Sequence, residues 1–215
     1  MELSETPAER RRHRVRERIL TAAEKVFAKE GNEGLSIRRL ADEIDYSPAA
    51  IYKYFDSKET LVDELKESFF QRLLEHVHSI VDTSQPFDAR VRKCLGGYIR
   101  TAVEKPYHYA AAFSHPGHME GPGEGEPGFE ESQKGQAFTV LSGMVAEGIA
   151  LKVFRSDLDA SLTAKSLWAS MHGLAMMIQH IPSYPSFRPD QYGITTDQFI
   201  EFHADLLVRG LEVQE

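Results

Sequence analysis

With 215 residues, 41% of them apolar and 10% aromatic, the chain suits one or two globular domains with a real core. Its single cysteine, Cys94, excludes an internal disulfide and fits a reducing, cytoplasmic setting. The net charge of −8 speaks against nucleic-acid binding only until it is resolved along the chain. Residues 1–60 carry 12 Lys+Arg and 12 Asp+Glu, whereas the remaining 155 residues carry 13 against 21.

The opening MELSETPAERRRHR is polar, without the apolar run of a secretory signal, and residues 1–13 read as a basic N-terminal arm. Arg10, Arg11, Arg12, Arg14, Arg16 and Arg18 stand against a single Glu17. Alone, such a run reads equally as a solvated arm or as a DNA contact. A helix-turn-helix pattern downstream tips it towards DNA, with Arg12 and Arg14 as contacts. From about Arg14 to Glu30 a first helix places Ile19, Ala22, Ala23, Val26 and Phe27 on one face, and Gly31 ends it. Ser36 caps a second helix, Ile37 to Ile44, with Ile37, Leu40, Ala41 and Ile44 inward. Asp45-Tyr46-Ser47 is a turn, Pro48 suits the first position of a helix, and that helix continues to Phe55 with Ile51 inward.

Residues 36–55 therefore read as a helix-turn-helix whose second helix is almost free of acid, the form in which a chain offers a helix to the major groove. Ser47, Pro48, Ala49 and Ala50 would face the groove floor, where small side chains permit close approach. Ser36 bonds its own helix end, where the helix N-terminus favours an anion. Lys58 and, in preference to Arg39, Arg38 are further phosphate contacts.

Ser57 caps a fourth, long helix in which Leu61, Leu65, Phe69, Leu73, Val77 and Ile80 recur every three or four residues. It reads as a rigid connection out of a domain spanning 14–73 and into a second spanning 74–215. Further helices are expected over about 87–104, 106–115, 129–150, 158–181 and 196–211, about nine in all, so the fold class is all-α with a helical-bundle body. Ser114 to Gly128, with five glycines and three prolines, reads as a mobile loop. Ser166 to Phe187 lacks charged residues, but His172, Gln179, His180, Pro182 and Pro185 make it a buried helix followed by a loop, not a membrane span.

The segment Val15 to Leu73, and within it ILTAAEKVFAKEGNEGLSIRRLADEIDYSPAAIYKYFDSKETLVDEL, resembles the DNA-binding domain of the TetR family of bacterial transcriptional regulators. Trp168-Ala-Ser-Met-His172-Gly173 resembles the Trp-His-Gly signature of one group of C-terminal domains in that family. The resemblance implies a homodimer with three-helix DNA-binding heads and a larger ligand-binding and dimerisation body. It also implies that Tyr52, Lys53 and Tyr54 reach phosphates or base edges, one tyrosine having the alternative of packing between helices.

In the body, Tyr98, Phe113, Phe138, Leu141, Trp168, His172 and Met176 are candidates to line a cavity, although apolar residues at helical spacing are more often core. Trp168 and His172, at i and i+4, share a face. No cofactor or metal is implied. His115 and His118 have a ligand-like spacing but no cysteine pair or carboxylate cluster beside them, and Cys94 has no base within sequence reach. The expected function is a homodimeric repressor, joined through helices 158–181 and 196–211. A small apolar or amphipathic molecule would release it from a palindromic double-stranded DNA operator. An activator of the same fold, a regulator answering a protein partner, and a helical enzyme with a vestigial head are the alternatives.

Overall fold

The computed structural model describes residues 6–80, 82–113, 128–180 and 188–213. Among these, the structure is all-helical: α1 (Pro7–Gly34), α2 (Ile37–Glu43), α3 (Pro48–Ile51), α4 (Lys58–Ile80), α5 (Phe87–Glu104), α6 (Pro106–Phe113), α7 (Gln133–Ala150), α8 (Ala160–Gln179) and α9 (Thr196–Arg209), with a 3-10 turn at Pro189–Tyr192. One isolated antiparallel bridge, Phe154 with Glu212, is the extent of β pairing in the described residues. The Gly/Pro-rich loop lies outside them except for Gly128, as do most of the 182–189 connector and both His115 and His118.

The chain divides into two compact units. The first comprises the described residues within 1–69 and 107–121, the second those within 70–106 and 122–215. The first is built on Val15, Ile19, Ala23, Val26, Leu40, Ile51, Phe55, Leu61 and Leu65, the inward rows expected from the helical spacing. Tyr109 of α6 is fully buried in this unit, edge-on to Phe69 with ring centroids 5.2 Å apart. Phe113 joins the same aromatic group, 4.8 Å from Tyr109 and 5.9 Å from Phe69.

The second unit packs α8 and α9 against α5, and α7 against α8. Ion pairs tie α5 to the C-terminal segment: Arg92 reaches Asp88, Asp205 and Glu212, and Arg100 reaches Asp197 and Glu201. Phe154 lies directly over Gly148, where even a Cβ would be 2.2 Å from its ring, and stacks edge-on to Phe87.

Three helix boundaries differ from expectation. α7 begins at Gln133 and not near 129, because Ser132 caps it, accepting from Gly135 N. α1 starts at Pro7 because Thr6 and Glu9 form a reciprocal capping box with proline at the first helical position. Residues 7–13 thus continue the first helix. Gly31, at φ 65°, breaks that helix where the sequence placed its end. α3 is shorter than expected: regular helix stops at Ile51, and Tyr52, Lys53 and Tyr54 complete a tight turn with bonds to Pro48, Ala50 and Ile51 carbonyls.

Candidate nucleic-acid interface

Three serines start the helices that frame the site. Ser36 Oγ accepts from Arg39 N at 3.3 Å, Ser47 Oγ from Ala50 N at 3.2 Å and Ser57 Oγ from Thr60 N at 3.1 Å. Each hydroxyl satisfies an otherwise unpaired helix N–H; Ser36 and Ser47 keep their own proton available to an outside acceptor, whereas Ser57 also meets Glu59 and Thr60 Oγ1. The turn between α2 and α3 depends on Asp45, held at φ 60°, a region that a short polar side chain tolerates. Tyr46 N then donates to Ala41 O at 2.8 Å, closing the end of α2 and reversing the chain into Ser47.

This frame sorts the candidate residues. Ser36, Arg38, Ser47, Pro48, Ala49 and Lys53 are exposed, and Tyr52 is 51% exposed despite its ring. Ile51 and Phe55 point the other way, fully buried beneath them. From Tyr46 to Phe55 there is no acidic side chain. Tyr54 is half-buried and packs on the core of the unit, so of the two tyrosines it is the one that props the helix. Arg39 is engaged with Glu30 through both guanidinium nitrogens, and that bond holds the Glu30 carboxyl below its usual range. Arg38 carries no such pairing and stays exposed. Lys58 Nζ donates to Asn32 O at 2.6 Å, which fastens α4 to the turn ahead of α2.

The arginine run also divides. Arg16 pairs with Glu64 and lies over the Phe55 ring at 5.0 Å. Burial pushes the Glu64 carboxyl up, against the opposing pull of Arg16. Arg18 lies over Tyr46 at 5.5 Å and donates to Ile44 O at 3.4 Å, bracing the turn. Arg11, Arg12 and Arg14 are exposed on the first two turns of α1. Deeper in the same unit, Glu24 Oε1 and His108 Nε2 face each other, buried, between α1 and α6, a contact that sequence separation hides.

The body candidates do not converge on one place. Tyr98 and Leu141 are buried, and Tyr98 Oη meets His172 Nδ1 at 3.4 Å. Phe138 is half-buried on α7. Trp168 packs on the His172 ring, 5.3 Å between centroids, yet is 37% exposed, and Met176 is 38% exposed on the same outer side of α8. Phe113 packs with Phe69 and Tyr109 in the first unit, because its contacts and not its place in the sequence decide its unit. Phe202 and Leu206 of α9 are 61% and 56% exposed. Ser170 Oγ and His203 Nε2, 3.2 Å apart, link α8 to α9. No helix of the described residues is long and apolar enough to cross a membrane, and no three His, Cys, Asp or Glu among them are grouped to hold a metal.

Residues 19–65 match the family model of bacterial regulatory proteins, tetR family. An HTH-type transcriptional repressor, KstR2 of Mycobacterium tuberculosis, is 26% identical over 160 residues, covering 71% of this chain and 78% of its own. An uncharacterized HTH-type transcriptional regulator of Haemophilus influenzae is 29% identical over 77 residues, 36% of this chain and 41% of that protein, so less than half of that relative is spanned. Among solved structures, a protein with unknown function from Rhodococcus sp. RHA1 superposes with a TM-score of 0.71 at 26% identity over 92% of this chain and 95% of that one. The ketosteroid transcriptional regulator KstR2 of M. tuberculosis shares the fold, with a TM-score of 0.64 at 20% identity over 93% and 95%.

Proposed function

We propose that this chain, a DNA-binding transcriptional regulator of the TetR family, is a cytoplasmic homodimeric repressor that a small apolar or amphipathic molecule releases from a palindromic operator. The observation that carries the reading is the acid-free, exposed row Ser47, Pro48, Ala49, Tyr52 and Lys53, standing on the buried Ile51 and Phe55. A rigid core under a small-residue edge lets the backbone approach base edges, while Tyr52, Lys53, Arg38 and Ser36 meet phosphates on either side. Arg12, Arg14 and Lys58 add charge at the margin, the last while holding the Asn32 turn. Repression follows the likeness to KstR2, described as a repressor.

Two such heads need a fixed spacing to occupy successive major grooves. The exposed apolar side chains of α8 and α9, Trp168 and Met176 on one and Phe202 and Leu206 on the other, support a two-fold interface that sets it. Tyr98, His172, Leu141 and Phe138 remain the residues proposed to meet an effector. α4, one continuous helix of 23 residues, carries the shift between the effector site and the heads. The test is titration of Tyr52→Ala and Arg38→Ala proteins against a duplex that the wild-type chain selects from random-sequence DNA. Each should weaken binding, Arg38→Ala with a shallower salt dependence, and equal affinity and slope for all three proteins refutes the interface. A reporter downstream of the selected site should rise when the gene is deleted. A fall instead would favour activation.

A further inference from the structure

α8 packs against both α5 and α7, and the middle stretches of all three helices are uncharged. No Asp, Glu, Lys or Arg occurs from Ser166 to Gln179 on α8, from Gln136 to Ala146 on α7 or from Cys94 to Ile99 on α5. The flanking charges of α5 are committed elsewhere: Arg92 and Arg100 pair with Asp205 and Asp197 of α9, and Arg90 pairs with Glu147 of α7. Leu141, Val145, Met171 and Leu174 are buried in the uncharged stretches.

Polar contacts cross from α5 to α8 within this apolar packing. Gln179 Nε2 donates to Ala102 O at 3.1 Å, an ordinary hydrogen bond. The hydroxyl of buried Tyr98 and His172 Nδ1 stand 3.4 Å apart, beyond ordinary hydrogen-bond length. An oxygen entering here would displace a weak contact and not a strong one. Burial lowers the proton affinity of His172, so its ring is neutral at neutral pH. A phenol and a neutral imidazole can each donate and accept a hydrogen bond, but neither compensates a charge. A carboxylate or ammonium placed in such surroundings loses far more hydration than these groups return. A hydroxyl or carbonyl loses less and regains it as hydrogen bonds.

We propose that the molecule held by the body is uncharged and largely apolar, with a hydroxyl or carbonyl oxygen hydrogen-bonded by Tyr98 and His172. The inference rests on the effector reading above and adds to it the chemical class of the effector. Apolar walls supply affinity, whereas the Tyr98–His172 pair selects a neutral oxygen over an ionised group. Trp168, the single tryptophan of the chain, packs on the His172 ring with 5.3 Å between centroids, so its emission reports on occupancy.

The experiment titrates the full-length protein with octanol, methyl octanoate, octanoate and octylamine, and with the same head groups on cyclohexyl and bicyclic skeletons. Trp168 emission is followed at fixed protein concentration. On at least one skeleton the alcohol and ester should saturate, with the carboxylate and amine about tenfold weaker or more. Tyr98→Phe keeps the ring and removes the hydroxyl, so it should weaken the alcohol and ester about fivefold and leave the ions unchanged. His172→Lys should turn the preference towards the carboxylate. Neutral probes that bind should also release the wild-type protein from a duplex it has selected from random-sequence DNA. Binding without release supports the site and overturns its coupling to DNA. Tightest binding of a carboxylate or amine to the wild-type protein overturns the inference and leaves an effector-released regulator standing. Equal weakening of every probe by Tyr98→Phe marks a residue that only packs, and also overturns it. Binding of no probe on any skeleton overturns both the class and the effector reading.

Discussion

Replacing Phe202 and Leu206 by serine should separate the two copies of the chain without unfolding either. The side chains are 61% and 56% exposed in the single chain, so their loss costs little there. Full burial of a Phe or Leu side chain is worth about 1.5–3 kcal/mol, which leaves about 1 kcal/mol each for the exposed parts. A two-fold interface uses the same patch twice, so four side chains contribute about 4–5 kcal/mol. Serine recovers almost none of this, and the dimer dissociation constant should rise roughly a thousandfold. Sedimentation equilibrium over a wide concentration range reads that constant, with far-UV circular dichroism as the check on folding. DNA binding should change from one cooperative step to weak half-site occupancy. A shift of less than tenfold, or a wild-type chain that stays monomeric throughout, would refute the assignment of the α8–α9 face.

Further outcomes follow from the packing and the titrating groups. Gly148→Ala puts a methyl group 2.2 Å from the Phe154 ring, which must move against Phe87, so a loss of about 1–3 kcal/mol is expected in chemical denaturation. The Cys94 thiol is buried and pushed up to about 12 by desolvation. It should resist a thiol reagent at pH 8 in the native protein and react fully once denaturant is added. Burial lowers the affinity of His172 and His203 for a proton below that of the unfolded chain. The unfolded state then binds more protons at mildly acid pH, so stability is complete above the ordinary histidine range and declines as pH falls through it. Thermal midpoints should drop between pH 7.5 and 5.5, and a His172→Gln/His203→Gln protein should show a flatter profile.

What could be read from the sequence was what neighbours in the chain decide. Ser36 and Ser57 cap helices because a cap needs only the next three residues, and Gly31 breaks α1 for an equally local reason. The inward rows of the head, from Ile19 to Leu65, follow from periodicity alone. Thr6 was as local a cap as Ser36, but the arginines beside it drew the eye to charge and hid the capping box that makes 7–13 helical. What could not be read was which of two apolar faces a helix buries. α8 carries apolar residues on more than one side: Met171 is 2% exposed and Met176 is 38% exposed, and no pattern in the sequence distinguishes them. Only the packing of α5 and α7 against one side does so. The same limit hides the partners of Phe113, which are Phe69 and Tyr109 of the first unit. Periodicity measures how apolar a face is, not what covers it. A chain proposed to pair as well as fold through apolar surface writes both in one alphabet, and the exposed Trp168, Met176, Phe202 and Leu206 stand out as a proposed interface only once the core has been subtracted.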